Sequence, residues 1–354
     1  MDQPASPFDL DIEGLSALLG DQPAYRTRQV WRSLHAGRRP AEMTDLPDTL
    51  RSHLEDRLPP GLAEAARSES GDGETVKWLW TLAGGAQVET VLMHYPDRST
   101  VCISSQAGCA MACQFCATGQ GGFDRQLSSG EIVEQVVAAQ REARNGKGRR
   151  ITNVVFMGMG EPLANYDRVW EALRRLHGDL GISARHLTVS TVGVVPGIRR
   201  MAGEDLPVNL AVSLHAANDT LRDKLVPINR RYPLSDLMEA CGTYLSAKGR
   251  RLSFEWAVID GVNDTERDAA ELAALALPLG AHVNLIPLNP TPGGLAGGLG
   301  ASPPERVAAF AAALRGRHVN ATVRRNRGTD IDAACGQLAA RQPRLPLRPR
   351  RVTD

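Results

Sequence analysis

The segment "VCISSQAGCAMACQFCATG", Val101–Gly119, joins a short apolar run to four of the six cysteines of a 354-residue chain. The run reads as a buried strand, and the small residues after it read as a loop. Cys109, Cys113 and Cys116 fall in that loop at C-x3-C-x2-C spacing, while Cys102 lies in the strand. From about residue 99 the same order of strand, loop and helix repeats. Strand candidates are "TVCIS", "ITNVVFM", "HLTVSTV", "VNLAVSL", "LSFEWAV" and "HVNLIPL", with "VNATVRR" last. Helical patterns fit between them: "SSGEIVEQVVAAQREAR", "NYDRVWEALRRLHG", a short one near "VPGIRRM", "SDLMEACGTYLSAKG", "DTERDAAELAALALPLG" and "PPERVAAFAAALRG". Such alternation predicts an α/β fold with a parallel sheet, because parallel strands need crossovers. About six units predict a partial (βα)6 barrel rather than a closed ring of eight. Chemistry in such folds gathers at the C-terminal ends of the strands.

Upstream, residues 8 to about 60 read as a small helical unit built from "DIEGLSALLG", "YRTRQVWRSLHAG" and "LPDTLRSHLEDRL". "PPGLAEA" and "SESGDGE" read as connectors, and "VKWLWTL" and "AQVETVLM" as two strands joined by "AGG". The expected organisation is a helical accessory domain over 1–75, a connecting β-hairpin over 76–98, the partial barrel over 99–340 and a basic, disordered tail over 341–354. The loop 291–304 is Gly-rich and flexible by composition.

Hydrophobic residues make up 42%, enough for a sizeable core, and no run of about 18 apolar residues predicts a membrane span. "MDQPASPFDLDIEG" lacks the basic start and apolar stretch of a signal peptide. A cytoplasmic protein with reduced thiols is expected, and cysteines this crowded read as metal-binding or catalytic rather than as a disulfide framework. The net charge of +1 does not advertise a nucleic-acid partner. Arginines do cluster: Arg26, Arg28, Arg32, Arg38 and Arg39 near the start, Arg324, Arg325 and Arg327 later, and five more in the tail. They suit phosphate contacts, or else solvated faces.

Three thiols on one loop do not complete a tetrahedral zinc site. No histidine lies between Cys102 and Cys116; the nearest are His94 and His177. A [4Fe–4S] cube held by three cysteines leaves one iron with a free position for a small chelating ligand. A zinc or simple Fe–S site is the alternative. "VVFMGMGEPLAN" supplies a second feature, the turn Gly158-Met159-Gly160-Glu161 after a buried strand. A dinucleotide-binding reading fails, because Leu163 stands where a third glycine is needed.

The loop from Cys109 to Cys116, with Phe115 before the last cysteine, resembles that of the radical S-adenosylmethionine (SAM) superfamily. The resemblance implies that SAM chelates the open iron and that Gly160 and Glu161 contact its methionyl amine. Over about residues 8–340 the chain closely resembles the 23S rRNA adenine-C2 methyltransferases, which also act on tRNA. The strings are "QVETV", "CISSQAGCAMACQFCATG", "ITNVVFMGMGEPLAN", "LTVSTVGVVPGI", "LAVSLHAANDTLRDKLVPIN", "VNLIPLNP" and "RGTDIDAACGQLA".

That resemblance implies one cluster and two SAM molecules per methylation. Adenine C2 is electron-poor and will not attack the SAM methyl, but a carbon radical adds to it. Cys335 would take a methyl from one SAM and lose a hydrogen to the adenosyl radical from the second. The resulting methylene radical would join enzyme to RNA. Cys102 would then resolve the adduct by forming a disulfide with Cys335, and Glu89 would accept the C2 proton. Ser190, Ser213, Leu214, His215 and Asn289 carry over as SAM contacts. Implied substrates are 23S rRNA at the peptidyl transferase centre and the anticodon-adjacent adenine of tRNAs. A flavodoxin or ferredoxin would supply the electron to a monomer. On the residues alone, Cys102 is a small core hydrophobe, Cys335 inert, Glu89 an exposed strand carboxylate, and each serine a possible helix cap. Cys241 matches nothing and belongs to the core.

The target base must leave its stack, and the helical unit with its arginines is the expected docking surface. Aromatic residues at 5% leave little for an extended stacking platform. Alternatives are adenine-C8 methylation of the antibiotic-resistance type, a non-catalytic RNA-binding protein with structural zinc, and a radical SAM enzyme acting on a protein or small molecule.

Overall fold

The computed structural model describes residues 5–338 apart from 290, 292–298 and 326. The tail 341–354 and the centre of the Gly-rich loop 291–304 lie outside the described residues. Three helices open the chain: α1 (Ile12–Leu19), α2 (Ala24–His35) and α3 (Asp48–Arg57). Asp11 caps α1, its Oδ1 accepting from the Gly14 N–H at 2.7 Å. Leu15, Leu19, Val30, Leu34, Leu50 and Leu54 are buried in one apolar core continuous with the rest of the chain. Polar ties reinforce that packing. Arg175 Nη1 donates to the carbonyls of Phe8 and Leu10, and Trp31 Nε1 donates to Asp179.

Next come three antiparallel strands, β1 (Leu62–Glu69), β2 (Thr75–Leu82) and β3 (Gln87–His94). Here the expectation of connectors before the hairpin is corrected. "LAEAARSE" has little β-propensity of its own, but β2 offers it a ladder, with an irregularity between Glu64 and Ala66. It forms an outer strand, mostly exposed, which is why no alternation marks it in the sequence.

The remainder runs β4 (Ser99–Cys102), β5 (Gln106–Gly108), α4 (Ala117–Gln120), β6 (Phe123–Gln126), α5 (Ser129–Lys147), β7 (Asn153–Phe156), α6 (Tyr166–Gly178), β8 (Leu187–Thr191), α7 (Val195–Gly203), β9 (Asn209–Ser213), α8 (Asp219–Leu225), α9 (Leu234–Lys248), β10 (Leu252–Val258), α10 (Glu266–Ala276), β11 (His282–Pro287), α11 (Pro304–Gly316) and β12 (Ala321–Val323). One sheet holds ten strands in the order β1-β2-β3-β4-β7-β8-β9-β10-β11-β12. Pairs from β4 to β12 are all parallel, so the expected partial barrel is present, extended at β4 by the antiparallel strands. The β5–β6 hairpin and α8 are additions that the sequence pattern did not reveal.

Helix α5 begins with a capping box, Ser128 and Glu131. It also carries Glu134, which locks the N-terminal unit in place. Ser6 Oγ donates to Glu134 Oε2 at 2.6 Å, and the Gly61 N–H donates to the same carboxylate at 3.1 Å. Burial outweighs these bonds and raises the Glu134 pKa from 4.5 to about 7. The folded state therefore holds a proton that the unfolded chain releases above about pH 4.5, so stability falls as pH rises from there to about 7. The expected loss is about 3 kcal/mol. Glu134→Gln should remove it. In urea denaturation at pH 5 and pH 8, the variant should gain on the wild type between the two; an unchanged gap would contradict this.

Candidate active site

At the C-terminal ends of the parallel strands lies a cavity. Its floor begins with the cysteine loop, which is clamped at both ends. The Cys109 N–H donates to Gly122 O at 2.7 Å, joining the loop to the β5–β6 hairpin, and the Cys116 N–H donates to Cys113 O at 3.2 Å. Cys109, Cys113 and Cys116 all line the cavity. Burial pushes the Cys109 thiol up to about 12 and raises Cys113 further above its ordinary value, with the neighbouring cysteines adding to both. These thiols stay protonated until a metal centre displaces the proton.

Among the described residues, no three His, Cys, Asp or Glu side chains are arranged to hold a single metal ion. Three loop thiols are one ligand short of a tetrahedral zinc site. They suit a cube, which takes one thiolate on each of three irons.

The glycine turn follows β7, and its conformation is imposed by close packing against the strand beside it. Gly160 has φ +99°, and a Cβ there would meet Gln106 Cβ at 2.5 Å. A Cβ on Gly158 would lie 2.6 Å from Ile103 O. Both glycines are thus required by the close approach of neighbouring protein. Gln106 Oε1 accepts from the Glu161 N–H at 2.7 Å. The Glu161 carboxylate accepts from Leu163 N at 3.0 Å and Val192 N at 2.9 Å. Burial still raises it to about 7. Glu161 faces the cavity, where a ligand ammonium would find a carboxylate already aimed.

Ser190 and Ser213 line the cavity with hydroxyls 3.4 Å apart, and neither caps a helix. His215 has φ +58°. Its Nδ1 accepts from the Ala257 N–H at 2.9 Å, and burial pulls its pKa down to about 3. It is therefore a neutral ring with Nε2 carrying the proton, packed against Phe115 at 4.4 Å between ring centroids. Leu214 is fully buried and does not line the cavity; its carbonyl accepts from Arg222 Nε.

Cys335 follows β12 and lines the same cavity as the cysteine loop. It is accessible to solvent, yet the surrounding protein raises its thiol pKa. Its segment is tied down on three sides. Asn289 Nδ2 donates to Cys335 O at 3.0 Å, the Ala117 N–H to Gly336 O at 2.8 Å, and Lys77 Nζ to Asp332 O at 3.1 Å. Asn289, expected to meet SAM, also holds this loop.

Cys102 ends β4 and is buried, its thiol pushed up to about 12 by burial and by the charge of Cys335. It does not line the cavity. All six cysteines are free, so the expected Cys102–Cys335 disulfide is not a resident bond of this structure. Glu89 is corrected from an exposed carboxylate. It is buried in β3, off the cavity, with Oε1 3.1 Å from Lys77 Nζ. Lys77 thus touches both Glu89 and the Cys335 segment. Cys241 is buried in α9.

Several residues here carried no sequence signal. Gln135 brackets Ser104, accepting from its N–H and donating to its carbonyl at 2.9 Å each. Gln106 orients the glycine turn. Arg324, a phosphate contact or a solvated side chain by sequence, keeps 40% of its side chain exposed while lying 3.6 Å from Glu255 on the cavity wall, where its charge acts on Cys335 and Cys102. Arg327 donates to His94 O. In the N-terminal unit, Arg26 and Arg38 are engaged with Asp45, whereas Arg28, Arg32 and Arg39 are exposed.

Residues 103–273 match the profile of the Radical SAM superfamily. A protein of Frankia alni named "Probable dual-specificity RNA methyltransferase RlmN" is 55% identical over 333 residues, covering 90% of this chain and 78% of the relative. A protein of the same name from Chloroflexus aurantiacus is 50% identical, covering 96% and 94%. The crystal structure of a radical SAM methyltransferase from Sphaerobacter thermophilus superposes with a TM-score of 0.90 at 49% identity, covering 96% of this chain and all of that one. With three loop cysteines, a glycine–glutamate turn and a fourth thiol gathered on one cavity, the chain belongs to the RlmN family within the radical SAM superfamily and is a SAM-dependent RNA methyltransferase.

Proposed function

We propose that this enzyme methylates C2 of an adenine in 23S rRNA and of the anticodon-adjacent adenine in tRNAs. A [4Fe–4S] cluster held by Cys109, Cys113 and Cys116, together with SAM, would supply the electron and the carbon radical that this chemistry needs. The chain's own residues do the rest. Glu161 and the Gly160 turn receive the methionyl amine, Ser190, Ser213 and the neutral His215 line the remainder of the SAM site, and the Leu214 backbone buttresses it. Cys335 carries the methyl group and bonds to the base. Cys102 displaces the product by forming a turnover disulfide with Cys335. Glu89 accepts the C2 proton, its link to the Cys335 segment running through Lys77. Two SAM molecules are consumed per methyl transferred.

One observation carries this reading: Cys335 opens onto the same cavity as the three loop cysteines. A methyl carrier must meet the radical source in one enclosed space. The exposed arginines of the N-terminal unit are the proposed RNA docking surface. The proposed setting is the cytoplasm, with a flavodoxin or ferredoxin donating to a monomeric enzyme. No helix among the described residues is long and apolar enough to cross a membrane.

The test is nucleoside mass spectrometry after anaerobic incubation with SAM, reductant and protein-free rRNA or tRNA. Methyl at C2 supports the proposal; methyl at C8 supports the sibling activity instead. Cys102→Ala should trap the enzyme on RNA, visible as a slow band on a denaturing gel that Cys335→Ala removes. A clean absence of that band would assign Cys102 another task.

A further inference from the structure

We propose that Arg222 is a positioning charge for the iron–sulfur cluster, a buried guanidinium set behind Cys113 that makes the cluster easier to reduce. The inference rests on the cofactor reading given above and assigns a new residue to it. Arg222 lies in α8 and is fully buried. Four hydrogen bonds tie it to neutral acceptors. Nε reaches Leu214 O at 3.1 Å, Nη1 reaches Asn229 Oδ1 at 2.8 Å, and Nη2 reaches Val192 O at 2.7 Å and Ser213 O at 3.3 Å. Among the described residues no carboxylate forms an ion pair with it. The two nearest acids are held one amide away, because Asn229 Nδ2 donates to Asp219 at 2.9 Å and to Asp223 at 2.7 Å. Asp219 is exposed and Asp223 half-buried, so both face the solvent side of the network.

A buried cation without an anion is costly, by several kcal/mol. Carbonyl dipoles offset part of that cost, but they do not neutralise the charge. What lies on the interior side is the cysteine loop. Cys113 shares one apolar cluster with Leu225 and Val226, at the end of α8. The Gln114 N–H donates to Leu225 O at 3.4 Å. Once deprotonated by a bound cluster, the Cys113 sulfur would favour the Arg222 cation from the interior side, as Asp219 and Asp223 do from the solvent side. Burial draws the guanidinium pKa down only to about 10, which leaves it charged at neutral pH. A cube bearing three thiolates is an anion before it takes an electron and more strongly one afterwards. A fixed positive charge therefore favours the reduced state, since net charge is one of the determinants of cluster potential. The same network also ties together the backbone after β8, β9 and α8. A purely structural clamp would hold those segments without moving the potential.

The experiment is a redox titration, followed by electron paramagnetic resonance, of the anaerobically reconstituted full chain without SAM. Arg222→Gln should make reduction at least tenfold less favourable, a downward shift of about 59 mV for one electron. Arg222→Lys keeps the charge and should restore the midpoint to within threefold of wild type. Asp223→Asn removes a compensating negative charge and should shift the equilibrium the other way, by about threefold. Arg222→Gln with a full cluster and an unshifted midpoint would overturn the proposal, as would Arg222→Lys displaced as far as Gln. If Arg222→Gln fails to hold iron, Asp223→Asn decides: an unchanged or lowered midpoint overturns it. A wild-type chain that takes up no cluster overturns the cofactor reading itself, which is a different failure.

Discussion

Cys335→Ala is expected to reduce methylation below detection, a loss of at least a thousandfold, while iron and sulfide content stay at the wild-type level. Both halves of the result matter. Cys335 lines the same cavity as the three loop cysteines, so it could in principle be a fourth cluster ligand. The structure favours the carrier role. Its segment is anchored by Asn289, Ala117 and Lys77 through backbone carbonyls, which leaves the thiol unbound and accessible. Losing the thiol should not disturb those anchors. Measured together, methyl incorporation into RNA and iron content separate the roles: loss of both would make Cys335 a ligand, and retained turnover would exclude it as the carrier.

Gly160→Ala is expected to destabilise the fold by roughly 2–6 kcal/mol and to remove SAM binding. The figure combines a backbone at φ +99° and a Cβ 2.5 Å from Gln106 Cβ, each costing about 1–3 kcal/mol. Gln106 cannot retreat freely, because its amide also holds the Glu161 N–H and Gln126. The turn would move instead, taking the Glu161 carboxylate with it. Gly178→Ala, at the end of α6 with nothing within 4 Å of its Cβ, serves as control and should be neutral or slightly stabilising. Calorimetry and SAM titration of the two variants check this. Equal melting temperatures would mean that the turn tolerates a side chain.

The parts of this molecule legible in its sequence are those with strong local codes. The parallel strands, β4 and β7 to β12, are short apolar runs rich in Val, Ile and Thr, and the longer helices between them keep their period. The cysteine spacing and the glycine turn are legible for the same reason, since both are built from neighbours in the chain. What was not legible depends on tertiary partners. Strand β1 exists because β2 templates it. Helix α8, at seven residues, is too short to show a period. Glu89 alternates with Val88 and Thr90 like a surface residue, yet β3 is buried on both faces. "RRNRG" reads as a phosphate grip or a solvated run, and nothing in it shows that Arg324 pairs with Glu255 or that Arg327 holds a carbonyl. Arg222 sits in "LRDKL", an ordinary polar helix by composition, and only the fold reveals that its charge is interior.

The most direct test of the central claim is iron, zinc and acid-labile sulfide analysis of the full chain, purified and reconstituted without oxygen. The account predicts about four irons and four sulfides per chain, lost when Cys113 becomes alanine. Zinc without sulfide, or iron that survives that substitution at full occupancy, would contradict it.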